Sequence, residues 1–105
     1  MPTLVFRGVK PSDLQTLAQP LIEKLSQVAQ CEKRVFTLEL TQTTHFDESG
    51  LIESYPMIEV HWFDRPQEQQ DEAAQVIADF MKNLGYKRVK VSFIIIDRTA
   101  FYDFK

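Results

Sequence analysis

The residue type best suited to chemistry in this sequence is the proline at position 2, which directly follows the initial methionine. A small second residue normally allows that methionine to be removed, and we expect Pro2 then to present a secondary amine. An α-amino group titrates near about 7.7–8.0, and burial or a neighbouring cation favours its neutral form. A neutral amine can take a proton from carbon and return it elsewhere. Pro2 is therefore the candidate general base and acid.

Other familiar chemical motifs are missing from the sequence. Its three glycines are too dispersed for a phosphate-binding loop, and no His or Cys spacing predicts a metal site. His61 and Asp64 form a possible ligand pair, which we interpret as structural. Lys87, Arg88 and Lys90 form a small basic cluster without interleaved exposed aromatic residues, so we interpret it as a solvated helix-to-strand turn and not as an RNA site. We expect neither a metal nor a cofactor.

Length and charge limit the classes of function. The chain has 105 residues, the size of one domain, with 12 basic and 15 acidic residues and a net charge of −3. This acidity argues against nucleic-acid binding. The single cysteine, Cys31, cannot form an intrachain disulfide, and no apolar run approaches the ~20 residues that span a bilayer. Pro11 and Asp13 interrupt any signal peptide. We expect a cytoplasmic protein that binds no membrane.

Two hydrophobic periods alternate along the chain and predict the elements that must position Pro2. Period-2 alternation predicts strands over 3–9, 35–41, 57–63 and 89–96, and apolar stripes at helical spacing predict two helices between them. Ser12 with Gln15 resembles a capping box that starts the first helix, and Gly85 ends the second. Residues 45–55 are predicted to be a linker, and residues 101–104 a short closing strand or a docking tail.

This order is βαβ followed by βαβ, and the two halves can be aligned. Pro2 and Pro56 are 54 positions apart, and the same offset places Lys33-Arg34-Val35 on Lys87-Arg88-Val89. The pattern predicts one domain over residues 1–105 with pseudo-repeats 2–46 and 56–101. Each unit should contain parallel strands joined by a right-handed helical crossover. We therefore expect an α+β fold with a four-stranded mixed sheet and two helices on one face.

Residue parity separates the two faces of this sheet. The set expected under the helices is wholly apolar: Leu4, Phe6, Phe36, Leu38, Leu40, Ile58, Val60, Trp62, Val89, Val91, Phe93 and Ile95. The other face is mixed and includes Arg7, Glu39, Glu59 and Lys90. A monomer could leave that face in water, whereas a symmetric oligomer could wrap it around a wet channel; the sequence permits both.

Three sequence features resemble the tautomerase superfamily, which includes 4-oxalocrotonate tautomerase and macrophage migration inhibitory factor. They are Pro2 with its following strand, the helix start Pro11-Ser12-Asp13, and the strand over 88–93. The resemblance is closest to an uncharacterised bacterial branch. It implies a homotrimer that tautomerises a small α-keto or enol carboxylate without a cofactor, with Pro2 as the catalytic residue.

The resemblance also assigns substrate-binding positions. Lys33 matches a substrate-side lysine of the inhibitory-factor branch, and Arg34 is its neighbour. Lys90 and Ser92 fall where that branch has a tyrosine and an asparagine contributed by a neighbouring subunit. Lys33, Arg34 and Lys90 would hold the carboxylate and stabilise the enolate.

The sequence also departs from the family. Pro11 and Phe36 occupy the positions at which the oxalocrotonate branch carries substrate-clamping arginines. One alternative is therefore a non-catalytic trimeric binding or scaffold domain of the same fold. Another is a ferredoxin-like domain, whose βαββαβ order is the same and in which Pro2 would have no role.

Overall fold

The computed structural model describes residues 2–105 and contains six strands and two helices. Two 3-10 turns lie at Lys33–Val35 and Arg98–Ala100. In chain order the elements are β1 (Thr3–Arg7), α1 (Pro11–Ala29), β2 (Thr37–Thr41), β3 (His45–Asp47), β4 (Gly50–Ile52), β5 (Met57–Phe63), α2 (Gln67–Asn83) and β6 (Lys90–Ile96). No helix among the described residues is both long and apolar enough to cross a membrane.

The main sheet has the strand order β2-β1-β5-β6. β1 pairs with β2 in parallel, β5 pairs with β6 in parallel, and the two halves meet where β1 and β5 run antiparallel. The predicted α+β fold, with a four-stranded mixed sheet and both helices on one face, is confirmed.

The core lies between this sheet and the two helices. Trp62, Phe6 and Leu4 are almost fully buried on the sheet side, and they pack with Leu21 of α1 and Ile77 of α2. The predicted apolar face is confirmed with one exception. Ile95, near the end of β6, remains 47% exposed, whereas Val91 and Phe93 on the same face of that strand pack against the core.

The predicted linker over residues 45–55 is wrong for most of its length, because β3 and β4 form an antiparallel hairpin there. The Asp47 carboxylate accepts the Ser49 amide at 2.8 Å, and Gly50 adopts a φ of +107°. These polar turn residues therefore form the turn of a hairpin and not a linker. Phe46 and Leu51 pair across it, and each is 69% exposed.

The predicted start of α1 is also wrong. The N-cap is Lys10, two residues before the predicted Ser12, with Pro11 in the first helical position and no side-chain capping bond. The fixed φ of proline suits the first turn, where its missing N–H costs nothing. At the end of α2 the prediction is confirmed: Gly85 has a φ of +99°, and its amide and that of Tyr86 bond back to the last turn.

Candidate functional site

Pro2 lies immediately before β1 and is held there by a main-chain hydrogen bond. The Thr37 amide donates to the Pro2 carbonyl at 3.1 Å, which joins the start of β1 to the start of β2. The Pro2 ring is almost fully buried. A main-chain bond and a buried ring together fix the position of this residue.

The 3-10 turn that precedes β2 places Lys33 and Arg34 at the same end of the sheet as Pro2, because β1 and β2 are parallel. Both side chains are exposed. Arg34 forms an ion pair with Glu32, while Lys33 makes no salt bridge with any carboxylate of residues 2–105. This end of the sheet, which we call the Pro2 pole, thus carries three of the five predicted site residues.

Lys90 and Ser92 lie elsewhere, at the beginning of β6. Lys90 is in register with Met57, which is in register with Arg7 at the far end of β1. Lys90 is therefore two strands across and five residues along from Pro2. With about 4.8 Å between strands and about 3.3 Å per residue, the two α-carbons are on the order of 19 Å apart. Within one chain, Pro2 and Lys90 cannot contact the same small molecule.

The sheet face opposite the helices carries a charged row in its centre. The Arg7 guanidinium lies 3.2 Å from one carboxylate oxygen of Glu59, and His61 Nε2 lies 3.1 Å from the other. The hydrogen bond to His61, and then that to Arg7, hold the pKa of Glu59 below its usual range. These residues border an open cleft of about 430 Å³ that Thr3 and Ile96 also line.

The charged row includes His61, which the sequence analysis considered as a possible metal ligand together with Asp64. His61 is bonded to Glu59 and not to Asp64. Among residues 2–105, no group of three or more His, Cys, Asp or Glu side chains is placed to hold a metal ion.

Sequence analysis missed an aromatic residue at the opposite end of the sheet. Tyr55, which precedes the buried Pro56, lies beneath the side chains of Arg88 and Lys90. The three cations of this cluster are exposed where the chain passes from α2 to β6, as interpreted from the sequence, and the contact with Tyr55 is an addition that the sequence did not predict. The cation and the ring are 33 positions apart in sequence, and only the pairing of β5 with β6 brings them together. We call this end the Pro56 pole.

The comparison with protein families is decisive for classification. The model of DUF1904, a domain of unknown function, matches residues 1–104. The chain belongs to the DUF1904 family. A crystal structure of a DUF1904 domain from Sebaldella termitidis is 28% identical, covers 98% of this chain and 95% of that chain, and superposes with a TM-score of 0.91. A protein of unknown function from Vibrio cholerae is 40% identical over 96% of this chain and 82% of that chain, with a TM-score of 0.85.

More distant structures place this DUF1904 protein in the tautomerase fold. A macrophage migration inhibitory factor-like protein from Entamoeba histolytica is 9% identical, with a TM-score of 0.73 over 97% of this chain and 95% of that chain. A fused 4-oxalocrotonate tautomerase, solved as a symmetric trimer, is 15% identical, with a TM-score of 0.72 over 93% of this chain and 86% of that chain. None of the curated proteins matches the sequence. The resemblance inferred from Pro2 and the βαβ order is confirmed for the fold.

Proposed function

We propose that this DUF1904 protein is a homotrimeric tautomerase that interconverts the keto and enol forms of a small α-keto carboxylate, with Pro2 as the catalytic residue. The observation that carries the proposal is the burial of the Pro2 ring at the head of β1, in a fold shared with tautomerases. Burial of a free amine disfavours its cationic form, so that the nitrogen is available as a base near neutral pH.

The reaction needs one proton to change place. After removal of Met1, the Pro2 nitrogen takes a proton from the carbon beside the substrate carbonyl, and the electron pair of that C–H bond moves to form the enolate. Proton delivery to the enolate oxygen completes the enol, so substrate and product contain the same atoms. Lys33 and Arg34 supply positive charge at the Pro2 pole, where the enolate charge develops.

A trimer supplies the residues that one chain keeps too far away. Lys90 and Ser92 of a neighbouring chain would complete the pocket around Pro2, since within one chain Lys90 is on the order of 19 Å distant. Large apolar side chains that one chain leaves in solvent support an assembly: Phe46, Leu51, Ile94, Ile95, Tyr102 and Phe104. Burial of such side chains favours association of copies.

The test distinguishes the contribution of the free Pro2 amine from that of the proline ring. Wild type, with Met1 removal verified by intact mass, is assayed on phenylenolpyruvate and 2-hydroxymuconate beside a variant that carries one alanine inserted between Met1 and Pro2. The inserted residue keeps the ring but turns its nitrogen into an amide. We expect the rate to fall at least about 100-fold. Pro66→Ala, at the exposed N-cap of α2, is the matched control and should keep wild-type rates.

The alternative is a non-catalytic trimeric binding or scaffold domain. The same burial of Pro2 favours it, because a substrate must reach the nitrogen of a ring that is almost fully covered. Equal rates for wild type and the insertion variant would support this alternative and exclude catalysis by Pro2. A monomeric mass in solution would exclude the trimer from both hypotheses.

A further inference from the structure

His61 lies on β5, level with the start of β1. Thr3 and His61 are directly opposite each other where β1 and β5 run antiparallel. Opposed α-carbons in such a pair are about 4.5–5.5 Å apart. Pro2 precedes Thr3 by one residue, so its α-carbon is on the order of 6 Å from that of His61. His61 is therefore the member of the charged row that lies nearest to Pro2.

The partners of His61 determine which of its ring nitrogens is free. Nε2 lies 3.1 Å from one carboxylate oxygen of Glu59, and the Arg7 guanidinium lies 3.2 Å from the other. The hydrogen bond from His61, and then that from Arg7, hold the pKa of Glu59 below its usual range, so this carboxylate is ionised near neutral pH and only accepts hydrogen bonds. Nε2 therefore carries a hydrogen, and in a neutral His61 the free lone pair is on Nδ1.

The charged row borders a cleft of about 430 Å³, which is large enough for a small molecule beside the imidazole. Thr3 and Ile96 line this cleft from the strands. Phe101 lines it from the segment after β6 and packs edge-on against Phe63, with the ring centroids 5.2 Å apart. Apart from the row itself, Glu39 is the one charged residue among the described residues of the lining. A small ligand in this cleft therefore has the imidazole on one side and largely uncharged walls around it.

We propose that His61 is a second acid–base residue of the tautomerase, whose Nδ1 exchanges the hydroxyl proton of the enol while the Pro2 nitrogen exchanges the proton on carbon. This role rests on the proposed function, whose reaction needs a group that gives a proton to the enolate oxygen. Histidine is the side chain that most often makes such transfers. Glu59 is a positioning residue, because its carboxylate holds the ring and stabilises the imidazolium.

One proton moves at each end of the substrate. From keto to enol, the Pro2 nitrogen takes the proton from carbon, the electron pair of that C–H bond forms the carbon–carbon double bond, and the carbonyl electron pair moves to oxygen. The oxygen takes a proton from Nδ1 of protonated His61, which leaves the imidazole neutral. Pro2 then loses one proton to water and His61 gains one from water. The enol thus contains the same atoms as the keto form.

The test compares the two histidines of the chain. Wild type, with Met1 removal verified by intact mass, is assayed on phenylenolpyruvate beside His61→Gln, which keeps an amide N–H for Glu59. We expect the rate of His61→Gln to fall at least about 100-fold. His45→Gln is the matched control and should keep the wild-type rate, because His45 stacks on Tyr55 at the Pro56 pole.

Chemical rescue distinguishes proton transfer from a purely structural role of His61. His61→Ala leaves space beside Glu59 in an open cleft, so imidazole added to the solution should restore part of the lost activity in proportion to its concentration. Imidazole should not restore the variant with an alanine inserted before Pro2, which lacks the amine. Glu59→Gln should lower the rate at least about tenfold, since the ring loses the charge that stabilises its protonated form.

A binding measurement needs no turnover. Pyruvate, a small α-keto carboxylate, should shift the ring NMR signals of His61 in wild type and leave those of His45 in place. The two histidines thus serve as site and control in one sample.

The outcomes separate this inference from the proposed function. A folded His61→Gln with the wild-type rate would overturn the role of His61, and the tautomerase proposal would stand if the insertion variant has lost activity. Absence of rescue in folded His61→Ala, or His61 signals that pyruvate does not move, would also overturn the role of His61 alone. A wild type that lacks tautomerase activity after removal of Met1 would overturn both proposals.

Discussion

The two poles of the sheet share one backbone arrangement but carry different functional groups. At each pole a buried proline precedes a strand, and its carbonyl accepts the amide of the residue that opens the neighbouring parallel strand: Thr37 donates to Pro2 at 3.1 Å and Lys90 donates to Pro56 at 3.0 Å. The nitrogen of Pro56 is an amide inside the chain and cannot act as a base. The nitrogen of Pro2 becomes an amine once Met1 is removed.

The cations are distributed in the opposite way. At the Pro2 pole, Arg34 is paired with Glu32, and both side chains extend into solvent. At the Pro56 pole, Arg88 and Lys90 are unpaired within residues 2–105 and converge on Tyr55. The Pro2 pole therefore combines the proline with one cation, Lys33, that makes no salt bridge within residues 2–105, whereas the Pro56 pole has two such cations gathered on one aromatic ring. In the homotrimer proposed above, a second copy would bring the two poles together, because one chain keeps Pro2 and Lys90 on the order of 19 Å apart.

Mixing of subunits that carry different substitutions is the most direct test of whether Pro2 and Lys90 act from different chains. Pro2→Ala and Lys90→Ala should each be nearly inactive as pure trimers, but trimers reassembled from equal amounts of both should regain about a quarter of wild-type activity. In random mixtures, about one site in four joins an intact Pro2 to an intact Lys90. Activity in the tautomerase assay is the measurement. Mixed trimers, verified by native mass, that show no recovery would mean that both residues act within one chain.

The packing beneath Tyr55 is the next most sensitive feature. Gly8 has a φ of +73°, and a Cβ there would lie 2.1 Å from the Tyr55 carbonyl oxygen. Gly8→Ala should therefore lower the free energy of unfolding by roughly 3 kcal/mol or more, because backbone strain and a clash with main chain add together. Gly85→Ala is the control, with a φ of +99° and open space around it. It should cost about 1 kcal/mol. Equal losses in urea denaturation would show that the contact with Tyr55 is not rigid.

Tyr86 tests how firmly the two halves are joined near the Pro56 pole. Its hydroxyl donates to Asp13 at 2.5 Å and accepts the Lys10 amide at 3.1 Å, so it ties the turn after α2 to the start of α1. Tyr86→Phe should cost about 1 kcal/mol of unfolding free energy. Tyr102→Phe, which alters a 73% exposed side chain, should cost nothing measurable. Similar thermal stability of the two variants would contradict the role of the hydroxyl.

Glu59 gives the smallest expected effect, through its pH dependence. Because His61 and Arg7 hold its pKa below the usual 4.5, the stability that Glu59 contributes is present above that value and is lost as the pH falls through its folded pKa. Glu59→Gln should therefore be less stable by about 0.5 kcal/mol near pH 7, and this difference should disappear in acid. Glu39→Gln, on the same face and without an ion pair in residues 2–105, should show no such convergence.

The sequence predicted the fold well because alternation is a local signal. The span 57–63 was predicted with both of its ends, since its alternating apolar side chains are buried one after another. The hairpin was missed because Phe46 and Leu51 are exposed and leave no amphipathic pattern. Tyr55 was missed for a different reason: its partners are on β6, and no local pattern in one sequence reports a contact between strands. The placement of Lys90 on the order of 19 Å from Pro2 likewise depends on the strand order, which local patterns do not contain.

The hydrogen bond that anchors residue 2 is made by its main-chain carbonyl, so it does not depend on which side chain residue 2 carries. Thr37 would hold alanine or glycine at that position through the same carbonyl oxygen. A primary amine placed there can condense with a ketone, releasing water and forming a neutral imine. Proline is a secondary amine, so the corresponding product is a positively charged iminium. Exchange of one residue would then redirect this scaffold from the proton transfer proposed above to covalent capture of a carbonyl compound.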